Sequence, residues 1–236
     1  MTHEKPRGAD RLIVAIDTGN VEIAKDWIAA CLNNVGMFKV GLELFTAHGA
    51  AGYAAVAEAG KPIFLDLKLH DIPNTVSGAV RSVLPLAPRM ITLHASGGTA
   101  MISAARHAVE MAGATRPLLL AVTVLTSLDA SALSAIGVAG GPTQQVLRLA
   151  RLALDAGADG LVCSPREVAV LRDAFGPGPA LVVPGIRPEN AGSNDQARVM
   201  TPEQAIAAGA DWIVVGRPIT GAENPAEAAA AIAAVL

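Results

Sequence analysis

Apolar runs of strand length recur eight times along the chain: LIVAID (12–17), MFKVGL (37–42), PIFLDLKL (62–69), RMITLH (89–94), PLLLAVTVLT (117–126), GLVCSP (160–165), ALVVPGI (180–186) and WIVVGR (212–217). Alanine-rich stretches of helical character separate them. In TQQVLRLARLALDAG, Val146, Leu149, Ala150, Ala153 and Leu154 form one apolar stripe, with Arg148, Arg151 and Asp155 away from it. Near-continuous apolar runs are what strands buried on both faces require, as in a parallel sheet. Hydrophobic residues make up 52% of the chain but aromatic residues only 3%, so the core has to be built from Ala, Val, Leu and Ile.

Eight strand–helix units in 236 residues predict an α/β fold: a single-domain (β/α)8 barrel of the TIM type, for which about 250 residues is typical. A doubly wound open sheet is the rival, and it more often carries a Gly-rich fingerprint after its first strand. Here that strand ends in AIDTGN, without GxGxxG. Residues 1–10 (MTHEKPRGAD) read as a flexible N-terminal tail and 11–236 as the barrel. AGADG (156–160) and AGADW (208–212) each lead into a strand, and EAGKPIFLD does the same before the third. The Gly in each is placed to end a helix in the left-handed conformation. The least regular segments are 127–142 and 187–200, and the second, polar one is a candidate lid.

A net charge of −3 gives no support to a nucleic-acid partner. No stretch approaches the roughly 18 apolar residues of a membrane span, and the N-terminus lacks an apolar signal core. Cys31 and Cys163 lie far apart, as expected of buried, reduced thiols in a cytoplasmic protein. His48, His94 and His107 form no ligand cluster, so no metal site is expected. Trp27 and Trp212 read as packing groups.

FLDLKLHDIPNTV (64–76) places Asp66, Lys68 and Asp71 on the tail of a buried strand. Alternation sends Asp66 and Lys68 to the face of Phe64, and Leu65, Leu67 and Leu69 to the other. Charges inside an apolar strand are costly unless paired or put to use. In a barrel, all C-terminal strand ends face one mouth. Asp17, Lys39, Asp66, Lys68, His94, Thr123, Thr126, Arg187, Gly216 and Arg217 therefore converge from six other strand ends and the third strand itself. PGIR (184–187) and VGRPIT (215–220) follow strands seven and eight, where barrels often bind phosphate. Gly216 allows close backbone approach, Arg187 and Arg217 offer planar cationic donors, and Gln196 adds a neutral one.

DLKLHDIPNTV resembles the motif of the orotidine 5′-phosphate decarboxylase family, in its bacterial branch. IVAID, FKVGLELF, VTVLTS, VVPGIRP, DQARVMTPEQAIAAGAD and VVGRPIT resemble it too, in the right order, from about Leu12 to Thr220. The resemblance implies a (β/α)8 barrel that dimerises with sites at the interface. It implies conversion of orotidine 5′-phosphate to UMP and CO2, the last step of de novo pyrimidine synthesis, with no metal or organic cofactor. The catalytic array implied is Lys39, Asp66, Lys68 and Asp71, with Asp71 and Thr75 reaching the neighbouring subunit's site. Asp17 and Lys39 are implied to hold the ribose hydroxyls, Thr126 and Ser127 to meet the pyrimidine, and Arg187, Gln196, Gly216 and Arg217 to lie near the phosphate. Lys68 is the natural proton donor to a C6 carbanion, with Asp66 and Asp71 keeping it protonated. The alternatives are a Mg²⁺-dependent sugar-phosphate decarboxylase or synthase on the same barrel, and a catalytically silent nucleotide-binding protein.

Overall fold

Parallel pairing runs unbroken around the sheet in the computed structural model, which describes residues 5–188 and 200–236. The strands are β1 (Leu12–Ile16), β2 (Met37–Gly41), β3 (Ile63–Leu69), β4 (Met90–His94), β5 (Leu118–Val122), β6 (Gly160–Val162), β7 (Ala180–Val183) and β8 (Trp212–Val215). Each pairs with its sequence neighbours, and β1 pairs with β8 to close the barrel. The helices are α1 (Val21–Cys31), α2 (Leu42–Ala57), α3 (Pro73–Val83), α4 (Gly98–Glu110), α5 (Ala130–Ala135), α6 (Pro142–Asp155), α7 (Val168–Phe175), α8 (Pro202–Ala207), α9 (Arg217–Thr220) and α10 (Pro225–Ala233).

Strand alternation builds two apolar layers. Ile13, Phe64, Met90, Leu120, Val182 and Trp212 pack inside the barrel. Val14, Phe38, Leu65, Ile91, Leu119 and Ile213 face outward and meet the helices. In α6 the stripe expected from spacing is the buried one at Val146, Leu149, Ala150 and Ala153. Leu154 is only partly buried against the same core. Trp212 fills the inner layer, and Trp27 packs against the outer one.

Several apolar runs outlast their strands. β5, β6 and β7 stop at Val122, Val162 and Val183, and the residues beyond leave the ladder to form the mouth. Segment 127–142, expected to be irregular, contains α5, because Asp129 caps it by accepting from Ala132 N at 2.8 Å. In the segment read as a tail, Gly8–Arg11 form a 3-10 helix and the Lys5 ammonium lies 3.2 Å from the Asp211 carboxylate.

The AGAD echo has one structural meaning at both places. Gly157 (φ 100°) and Gly209 (φ 111°) take the left-handed conformation, as does Gly60 (φ 70°) before β3. The following aspartates then lock the strand starts together. Asp159 accepts from Leu119 N at 2.8 Å, and Asp211 accepts from Leu181 N at 2.8 Å. Arg116 binds both oxygens of Asp159, at 2.7 and 2.9 Å, and Arg106 adds a third contact at 2.8 Å. Arg172 meets Asp211 at 2.6 Å.

Candidate active site

The mouth of the barrel opens into a cavity of about 510 Å³. Its polar lining includes Asp17, Lys39, Asp66, Lys68, Thr126, Arg187 and Arg217, with Gly216 at the edge of β8. These residues come from six parts of the chain, and parallel closure brings them together.

Four of the charges form a line of alternating sign. Lys39 Nζ donates to Asp17 Oδ1 at 2.8 Å and lies 3.7 Å from Asp66 Oδ2. Lys68 Nζ donates to the same Asp66 oxygen at 2.7 Å. Asp66 is 7% exposed, Lys39 8%. Burial pushes the Asp66 carboxyl up, but the positive charges of Lys39 and Lys68, with hydrogen bonds from Lys68 and Thr92, outweigh it and hold it below its ordinary value. The expected alternation along β3 is present: Ile63 and Leu65 pack outside the barrel, Phe64 lies inside, and Asp66 and Lys68 line the cavity.

The backbone at this point is irregular. Leu65 pairs with Ile91 and Leu69 with Leu93, so four steps along β3 match two along β4. Lys68 has φ 51°, a left-handed conformation that costs a lysine about 1–2 kcal/mol. Such strain persists where the surroundings over-determine it and is concentrated at functional sites.

Arg187 is 7% exposed, and its Nε has no hydrogen-bond partner among the described residues. A buried guanidinium group facing a cavity with an open donor suits an anionic ligand. Asp71 does not join the line of charges within its own chain. Its Oδ1 accepts from Ile72 N at 2.6 Å, and residues 70–75 are exposed, Thr75 among them. Ser127 is exposed and does not line the cavity, whereas Thr126 does. Gln196 and most of the polar segment expected to act as a lid lie outside the described residues.

Cys163 lines the cavity but is buried, and burial, with Glu167 nearby, pushes its thiol well up. At 1% exposure it is part of the core, the environment of a structural thiol and not of a nucleophile. His94 approaches His70, with ring centroids 5.4 Å apart. Burial, His70 and Lys68 lower its basicity, with Asp66 opposing. Among the described residues no group of three or more His, Cys, Asp or Glu is placed to hold a metal ion.

Three participants were not singled out from the sequence. Thr92 donates to Asp66 Oδ1 at 2.9 Å and accepts from Lys68 N at 2.9 Å. Glu43, in the first turn of α2, lines the cavity and accepts from Gly19 N at 3.1 Å. Gly41 leaves room for the first charge pair: a Cβ there would sit 2.7 Å from Lys39 Nζ and 2.9 Å from Asp17 Oδ1. Only the position of Gly41 at a strand end within FKVG hinted at such a role.

Residues 10–232 match the model of the orotidine 5′-phosphate decarboxylase / HUMPS family. The chain belongs to this family. A relative from Anaeromyxobacter sp. (strain K), named orotidine 5′-phosphate decarboxylase, is 56% identical over 228 residues, covering 97% of this chain and 99% of its own. One of the same name from Gluconobacter oxydans is 55% identical over 225 residues, covering 94% and 95%. The crystal structure of orotidine 5′-phosphate decarboxylase from Lactobacillus acidophilus matches with a TM-score of 0.83 at 38% identity, over 97% of each chain. The family match takes in every strand of the barrel and all four charges of the line. No helix among the described residues is long and apolar enough to cross a membrane.

Proposed function

We propose that this chain decarboxylates orotidine 5′-phosphate to UMP and CO2, the last step of de novo pyrimidine (UMP) biosynthesis, with no metal or organic cofactor. The observation that carries the reading is the line Asp17–Lys39–Asp66–Lys68 at the cavity wall. A pure binder has no need of two lysines, one buried and one partly exposed, against one buried carboxylate, and the names of the relatives point the same way. A cavity of about 510 Å³ is of the size that takes a nucleotide.

Each group has a task in that reaction. When the bond between C6 and the carboxylate breaks, its electron pair stays on C6. The Lys68 ammonium stabilises that charge and delivers the proton that forms the new C6–H bond. Asp66 holds the ammonium aimed through their 2.7 Å contact, and Lys39 balances Asp66 while binding the ribose hydroxyls with Asp17. Thr126, with Ser127 beside it, meets the pyrimidine. Arg187, Gln196, Gly216 and Arg217 take the phosphate, the guanidinium groups as fixed cationic donors. Phosphate binding energy, gained far from C6, can align the ring for reaction.

The active form in this reading is a homodimer. Asp71 and Thr75 are exposed in a single chain, next to Ile72, which is 68% exposed. A second copy covering this segment would bury the apolar side chain and bring Asp71 to the neighbouring Lys68. The free, buried thiols of Cys31 and Cys163 suit the reducing cytoplasm, where we expect the protein to act.

The test is the ultraviolet change as orotidine 5′-phosphate becomes UMP, followed with EDTA present. Full turnover with the chelator is expected. Loss of turnover on chelation would favour the Mg²⁺-dependent alternative. Binding of UMP without any turnover would favour the silent nucleotide binder.

A further inference from the structure

We propose that Thr92 is a positioning residue for the reaction, its one hydroxyl setting both the orientation of the Asp66 carboxylate and the backbone of Lys68. The proposal rests on the reading of Lys68 as proton donor. Thr92 lies in β4, between Ile91 and Leu93, directly across from the extra residues of β3. That irregularity takes the Lys68 N–H out of the ladder, and the Thr92 side chain accepts it in place of a backbone carbonyl at 2.9 Å. The same oxygen donates its proton to Asp66 Oδ1 at 2.9 Å. A hydroxyl has one proton to give and lone pairs to accept with, so it can serve both partners at once.

The consequence for Asp66 is a division of labour between its oxygens. Oδ1 is held by Thr92, which leaves Oδ2 for Lys68 at 2.7 Å and Lys39 at 3.7 Å. Carboxylate rotation about χ2 is soft, and without Thr92 either oxygen can turn to the lysines. The consequence for Lys68 is retention of φ 51°, which aims its side chain into the cavity. Thr92 is 1% exposed and does not line the cavity, so it acts through its two neighbours.

Thr92→Val keeps the shape and removes the hydroxyl, and Thr92→Ser keeps the hydroxyl. Steady-state kinetics, UMP binding and thermal unfolding are measured on both, with Lys68→Ala as control. Thr92→Val is expected to lower kcat about 100-fold with KM and UMP affinity changed less than about 3-fold, and Thr92→Ser to recover to within about 5-fold of wild type. Should the valine variant not fold, Thr92→Ala carries the same comparison with serine. Wild-type kcat in Thr92→Val, or a serine variant as slow as valine, overturns the proposal. So does a loss of UMP affinity as large as the loss of kcat. An inactive Lys68→Ala beside a fully active Thr92→Val removes the Thr92 role alone. Near-normal turnover in Lys68→Ala removes the proton-donor reading and this proposal with it.

Discussion

At the strand starts, Asp159 sits between two arginines and a backbone N–H; at the strand ends, Asp66 sits between two lysines and a hydroxyl. Both are carboxylates taken largely out of water, and both are held below their ordinary pKa against the opposing effect of burial. The cations make the difference. A guanidinium is planar, binds a carboxylate through two parallel bonds, and does not give up its proton. An ammonium is a compact charge on a flexible stem and can act as an acid. The closed end of the barrel uses arginine at Arg106, Arg116 and Arg172, with the half-exposed Lys5 as an outlying addition at Asp211. The open end sets lysine against its buried aspartate. The same electrostatics thus serve as a clamp at one rim and as chemistry at the other.

If this division holds, substitutions at the two rims should separate turnover from stability. The largest effect is expected for Lys68→Ala, which should cut kcat by at least about 10⁴-fold while leaving UMP binding and Tm nearly unchanged. Mixed with Asp71→Ala subunits and allowed to reassort, it should recover about a quarter of wild-type activity, because half the dimers would be mixed and each would carry one intact site. Verified mixed dimers with no activity would count against a shared site.

Asp159→Asn should do the reverse. Leaving Arg116 and Arg106 without their anion is expected to cost about 3 kcal/mol, or roughly 6–12 °C in Tm, with kcat at 25 °C unchanged. The sign of its pH dependence follows from the lowered Asp159 pKa. The native contribution is present above the ordinary carboxylate range and is lost as pH falls through the depressed value. The gap in Tm between wild type and variant should therefore narrow in acid, and calorimetry across pH would reveal a gap that stays constant or widens. The smallest effect is expected for Gly41→Ala. Its Cβ would displace the flexible end of Lys39 from Asp17, lowering kcat/KM about 10-fold with little change in Tm. A variant that lost several degrees of Tm but no activity would move Gly41 from the reactive rim to the structural one.

Much of this contrast was legible in the residues. Apolar runs located every strand, since burial on both faces leaves little room for polar residues. Alternation along FLDLKL put Asp66 and Lys68 on one face, and the AGAD echo marked two helix ends. Other features were hidden for physical reasons. Thr92 stands in MITLH, where threonine reads as an ordinary strand former, and only the partner strand across from it discloses its task. The left-handed backbone of Lys68 follows from a register shift between strands that no single segment encodes. Asp159 and Asp211 were not singled out in the AGAD echo, because the arginines that pair with them lie on distant helices and loops. Segment 127–142 hid α5 behind its glycines and serines.

The left-handed backbone at Lys68 also bears on how far this protein can be improved. Glycine would relax that position at no steric cost, but it would also take the nearest cation from buried Asp66, so strain and charge pairing pull stability in opposite directions at the one side chain that the reaction needs most. Engineering for robustness is better aimed at the closed rim, where tighter packing asks nothing of the chemistry.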